Sequence, residues 1–158
     1  MIYRDPRYVE VAFVCRRLRP KSAAEAFLFL PHDDPEELAL AFYSAPLRWA
    51  AYHGQEPAVI FGAFPMHPGV WALFGFGTED YATVLGDVTR AFRREVFEAV
   101  SATGAHRAQA LSPASHTDTH KWLVMLGGRE EATLRGYAKS GEDVKVFAWT
   151  KEDADVWR

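Results

Sequence analysis

Two histidines and a carboxylate fall within five residues at His116, Asp118 and His120, and the histidines stand at i and i+4, so a helix through this stretch carries both on one face. That spacing can bind a metal ion or position a proton shuttle. A metal site needs a third ligand, and none stands at a recognisable spacing, so no metal is expected. Asp118 has a simpler explanation as the third residue after Ser115, the spacing of a capping box at a helix start. A second constellation is cationic. Arg90, Arg93 and Arg94 lie at i, i+3 and i+4, where three guanidinium groups on one helical turn form a docking site for carboxylates on a protein partner. A solvated helix face accounts for the same residues equally well. Cys15, the single cysteine, sits in an apolar run and reads as a small buried residue rather than a nucleophile. His106 lies beside Arg107 at a strand start, and His32 and His67 next to prolines in turns.

The elements that position these groups are legible between Val70 and Thr150. Val70 to Phe76 is an apolar run of strand length, broken by Gly77-Thr78-Glu79-Asp80, a hydroxyl cap followed by acids suited to a helix's first turn. Val84, Val88, Phe92, Val96 and Val100 then recur every four positions, predicting one long helix that ends at Gly104. Ala105 to Leu111 reads as a strand, and Ser115 to Leu126 as a helix stopped by Gly127-Gly128. Strands near Glu131 to Tyr137 and Val144 to Thr150 flank the hairpin-like turn Ser140 to Asp143. Upstream, Val9 to Cys15 reads as a strand, Lys21 to Leu30 and Pro35 to Tyr43 as short helices, and Leu47 to Tyr52 and Pro57 to Phe64 as strands around His53 to Glu56. This order predicts an α/β fold: residues 1–150 as one domain around a mixed sheet of six to seven strands with helices on both faces, and residues 151–158 as a tail. Trp49, Tyr52, Phe61, Phe64, Trp71, Phe74 and Phe76 lie on strands, where core packing is their expected role.

At 158 residues with 49% hydrophobic residues, the chain is long and apolar enough for a packed core. One cysteine excludes an internal disulfide framework and fits a reducing compartment. No apolar run reaches the roughly 20 residues of a membrane span and no signal peptide opens the chain, so a soluble, cytoplasmic protein is expected. A net charge of -3 gives no footprint for general nucleic-acid binding.

The order of elements, with Val70 to Gly128 at its centre, resembles the N-acyltransferase fold of the GNAT superfamily. More closely, the chain resembles the GNAT-like, or internal virion protein A, family of short-tailed phages and prophages. The residues that carry this likeness are Phe76 to Asp80, Val88-Thr89-Arg90 with Arg93-Arg94, Gly104 to Arg107, His120 to Leu123 before Leu126-Gly127, Leu134 to Tyr137, and Gly141 to Val144 leading into Phe147 to Thr150. The resemblance implies a protein made in the bacterial cytoplasm and carried in, or needed to assemble, a phage virion, with a phage or host protein as partner. It also implies where acetyl-CoA would sit if it binds: at Phe76, Gly77 and Thr78 and at Val88, Thr89 and Arg90, with phosphate at a helix start.

The superfamily's motifs are degenerate here. Active members carry Gln/Arg-x-x-Gly-x-Gly/Ala at the start of the long helix, and counting back from Gly104 over the usual helix length puts Asp87 and Thr89 at the two small positions. Gly86 stands beside them, and Glu79, Asp80 and Asp87 oppose phosphate, with Arg90 the one evident compensation. The family's Asn and its thiolate-protonating Tyr fall on His116 and Leu123. Tyr81 and Tyr137 are the tyrosines left to substitute, although a packed aromatic is more often core. Three functions therefore stand: a GNAT-fold phage protein acting by protein contacts with no cofactor, an acetyl-CoA-dependent N-acetyltransferase, and a host-directed inhibitor.

Overall fold

The structure, a computed structural model, describes residues 3–28 and 30–152. It is an α/β fold with a seven-stranded mixed sheet, in the order β1-β2-β3-β4-β5-β7-β6. The strands are β1 (Tyr3–Arg4), β2 (Leu47–His53), β3 (Glu56–His67), β4 (Val70–Gly77), β5 (Arg107–Pro113), β6 (Arg129–Leu134) and β7 (Val144–Thr150). The helices are α1 (Tyr8–Cys15), α2 (Pro20–Ala26), α3 (Pro35–Tyr43), α4 (Tyr81–Ala91), α5 (Phe97–Ala102) and α6 (Thr117–Met125), with a π turn at Phe92–Val96 between α4 and α5. Contacts divide the chain into two compact units, one of residues 1–63 and 74–91, the other of residues 64–73 and 92–158. Residues 153–158, most of the expected tail, lie outside the described residues.

In the first unit, Val9 to Cys15 is helical rather than extended. β-branched residues favour strands, but Glu10, Val11, Ala12, Val14 and Cys15 are all buried, a helical pattern, and tertiary burial outweighs propensity. The Glu10 carboxylate fixes the start by accepting the Arg7 backbone N–H at 2.9 Å, and takes the Arg4 guanidinium at 2.7 Å on its other oxygen. The second helix ends at Ala26, four residues short of Leu30, while α3 matches its expected span, with Asp34 accepting the Glu36 N–H at 2.9 Å and Pro35 in the first turn. β2 and β3 form an antiparallel hairpin from Leu47–Ala63 to His53–Glu56, and the brief β1 pairs with β2 at Ala50 and Ala51.

In the second unit, β4 and β5 run parallel, as the intervening helical crossover requires, with Val70, Trp71 and Ala72 opposite Arg107, Ala108 and Gln109. β5 continues to Pro113, paired along its whole length with antiparallel β7, which also carries β6. Trp149 is fully buried; its indole N–H donates to the Leu126 carbonyl at 3.1 Å, and its ring meets Phe97 at 5.5 Å. The last hairpin strand runs Arg129–Leu134 rather than Glu131 to Tyr137.

The expected single long helix is interrupted. Apolar residues strictly every four positions drift by about 40° per step on a helix of 3.6 residues per turn. The i→i+5 bonding of a π turn takes one extra residue into a turn and brings the stripe back. Val84, Val88, Phe92, Val96 and Val100 are all buried, at 2% exposure or less.

Candidate functional site

At the junction of β4 and α4, backbone groups expected to meet a cofactor are bonded within the protein. The Gly77 N–H donates to the buried Ser22 hydroxyl at 3.0 Å, its carbonyl accepts the Arg19 N–H at 3.0 Å, and the Thr78 N–H donates to the Ala58 carbonyl at 2.8 Å. Phe76, 1% exposed, is core. Glycine is required at 77 by space, since a Cβ there would stand 2.6 Å from the Ala58 oxygen. Arg19 closes over the junction, its guanidinium 3.9 Å from the centre of the Tyr81 ring and its Nε donating to Ser22 at 3.1 Å. Burial and nearby Glu25 push the Tyr81 phenol up to about 12, so it holds its proton at neutral pH.

Around the start of α4, three amides are held in the same way. The Thr78 hydroxyl accepts the Asp80 N–H at 3.2 Å in a turn ahead of the helix rather than as its cap, because α4 begins at Tyr81 and leaves Glu79 and Asp80 before its first turn; the Thr78 carbonyl accepts the Tyr81 N–H at 3.0 Å, and the Asp80 carbonyl accepts the Thr83 N–H at 3.0 Å. Glu79 is exposed, and Asp80 pairs with His53 at 3.5 Å. Gly86, Asp87, Val88 and Thr89 lie inside α4 instead of in a loop; Val88 is core, and the Thr89 hydroxyl donates back to the Leu85 carbonyl at 2.8 Å. Helical amides of this kind are already donors to the preceding turn and have nothing left for phosphate.

The three arginines have different surroundings. Arg90, at the end of α4, pairs with Asp87 at 3.2 Å. Arg93, on the π turn, donates to the Met125 carbonyl at 3.2 Å, so it caps the C-terminal end of α6, where a cation complements the helix dipole. Arg94 is exposed beside it.

Around the start of α6 the structure brings His116 and His120 together and leaves Asp118 exposed. His116 is the N-cap residue and buried; its N–H donates to the Pro113 carbonyl at 3.0 Å. His120 Nε2 donates to that same carbonyl at 3.0 Å, and its ring lies 5.2 Å from Phe147. A carbonyl can only accept, so the Nε2 position of His120 carries the proton. Burial holds the His120 imidazole below the usual histidine range, with Lys145 and His116 adding to the effect against the Pro113 bond and Glu130. Among the described residues no group of three His, Cys, Asp or Glu side chains could hold a metal ion.

The expected cap at Ser115 is corrected. Its hydroxyl and its N–H both donate to the Glu142 carboxylate, at 2.6 and 3.0 Å, so the loop before β7 anchors the entry to α6. This contact spans 27 positions in sequence, and local spacing carries no sign of it. Ser22 and Arg19 were missed for the same reason: each acts on β4 from a distant helix. Leu123, at the tyrosine position, is 5% exposed and packs as core, while Tyr137 is half exposed.

No protein-family model matches the sequence, and no curated protein matches it. Solved structures do match in fold. A GNAT-family acetyltransferase from Bacillus anthracis superposes with a TM-score of 0.69 at 12% identity, over 95% of this chain and 94% of that one. The ribosomal-protein-S18-alanine N-acetyltransferase of Escherichia coli gives 0.68 at 16% identity, over 94% and 92%. Ard1 from Thermoplasma volcanium gives 0.72 at 9% identity, over 94% and 95%. The chain therefore has the fold of the GNAT acetyltransferases, and identities this low speak to fold alone.

Proposed function

We propose that this GNAT-fold chain works through protein contacts and that its acyl-CoA site is degenerate. One observation carries the reading: the amides of Gly77, Thr78, Asp80, Tyr81 and Thr83 are bonded within the protein, beside the carboxylates of Glu79 and Asp80, so the place where phosphate would bind has most of its backbone donors engaged and negative charge next to it. Leu123 in the core at the tyrosine position supports it, since a leucine cannot protonate a departing thiolate. The residues by which the chain resembles the internal virion protein A family favour a phage component as partner and the bacterial cytoplasm, then the virion, as location. Calorimetric titration with acetyl-CoA tests the reading: no saturable heat is expected, and micromolar binding lost on Arg90→Ala would overturn it. Acetyl-CoA-dependent N-acetylation is the second reading, favoured by the acetyltransferases that share this fold. A host-directed inhibitor would share the first reading's lack of cofactor and differ in the partner that co-purifies.

A further inference from the structure

The second unit carries a surface that the fold does not use. α6 buries Leu123 and Leu126, and Trp122 meets Phe92 edge-on at 5.5 Å, so its core-facing side is satisfied. Yet Val124 and Met125, adjacent on the same helix, are each 55% exposed. Lys121 stands at i−3 and i−4 from them, on the same face. The Arg93 bond to the Met125 carbonyl brings the π turn against this end of the helix, and Arg94 follows Arg93 in sequence. Arg94 and Lys121 are exposed and have no ion-pair partner among the described residues. Single exposed apolar residues are ordinary. Two side by side, edged by unpaired cations, match an apolar contact ringed by opposite charge.

We infer that Val124 and Met125, rimmed by Lys121, Arg94 and Arg93, dock an acidic amphipathic segment of a partner protein. Its apolar side chains would cover Val124 and Met125 while its carboxylates meet Lys121 and Arg94. The inference rests on the protein-contact reading above and names the face and the partner chemistry. Charge decides against a symmetric pairing: a second copy of this chain packed patch to patch would bring the same cations, and like charges oppose that contact.

The test uses the full chain and a fluorescent synthetic peptide with one leucine stripe flanked by glutamates, read by anisotropy. Two controls accompany it, one with the glutamates changed to lysines and one with the leucines changed to serines. Saturable binding of the acidic amphipathic peptide alone is expected, weakened at least about tenfold both by Val124→Ser with Met125→Ser and by Lys121→Glu with Arg94→Glu, in variants whose circular dichroism and melting match the parent. No binding, binding untouched by the serine pair, or a dimer that dissociates on Met125→Ser would each overturn the inference. Such a failure leaves the acetyl-CoA titration unaffected, whereas micromolar acetyl-CoA binding removes the wider reading whatever the peptide does.

Discussion

Replacing either of two glycines near the start of α4 by alanine should move stability in opposite directions. At Gly77 an added Cβ would stand 2.6 Å from the Ala58 oxygen, 2.7 Å from Val59 Cγ2 and 2.9 Å from Tyr81 Cδ2. The Ala58 carbonyl cannot withdraw freely, because it accepts the Thr78 N–H at 2.8 Å, and the Tyr81 ring is held under Arg19. Overpacking of this kind costs about 1–3 kcal/mol. With a urea dependence of about 1–3 kcal/mol per molar, the unfolding midpoint of Gly77→Ala should fall by about 1 M. At Gly86, inside α4, a new Cβ meets nothing within 4 Å. Glycine in a helix interior is worse than alanine by about 0.5–1 kcal/mol, so Gly86→Ala should raise the midpoint by a few tenths of a molar. Urea titrations followed by tryptophan fluorescence, with unchanged slopes, measure both. The reasoning fails if the two shifts share a sign, and a destabilising Gly86→Ala would mean that residue 86 serves a loop and not a helix.

At the entry to α6, Ser115→Ala and Glu142→Ala should be strongly non-additive in a double-mutant cycle, since each removes the same hydroxyl–carboxylate bond; additivity would return Ser115 to a local cap. His120 supplies a pH test. Its folded value lies below the 6.5 of a free imidazole, so as pH falls through 6.5 the unfolded chain takes up the proton first and stability declines. His120→Gln should flatten that decline in melting temperature below pH 6.5, and an unchanged pH profile would place the titrating group elsewhere.

Periodicity and local capping were readable where they agreed with burial. The run Val70 to Phe76 and α3 with its Asp34–Pro35 start stand where the residue pattern puts them; the parallel partner expected at Ala105 to Leu111 lies two residues on, at Arg107–Pro113, and the helix expected to start at Thr78 starts at Tyr81. Val9 to Cys15 misled because its β-branched residues describe a strand locally, whereas burial among α3 and the sheet makes it a helix. The candidate site was harder to read. Which residues occupy motif positions could be counted, but whether an amide is free depends on Ser22, Arg19 and Ala58, whose contacts with β4 and Thr78 span long stretches of chain. The spacing of His116 and His120 puts both on one helix face, whereas His116 is the N-cap just ahead of α6; that the two meet at the Pro113 carbonyl is a property of how β5 runs into α6.

A π turn is, in register, an α-helix with one residue inserted. Aligning this chain with a GNAT-fold protein whose long helix is α throughout therefore needs a one-residue gap between Phe92 and Val96. Once that gap is opened, the two positions reached from Gly104 shift back from Asp87 and Thr89 to Gly86 and Val88. The first is then a small residue after all and the second a buried valine, both already wound into α4. Gly86, standing inside α4 where alanine would serve the helix better, is the one position of that pair small enough for a loop that approaches phosphate.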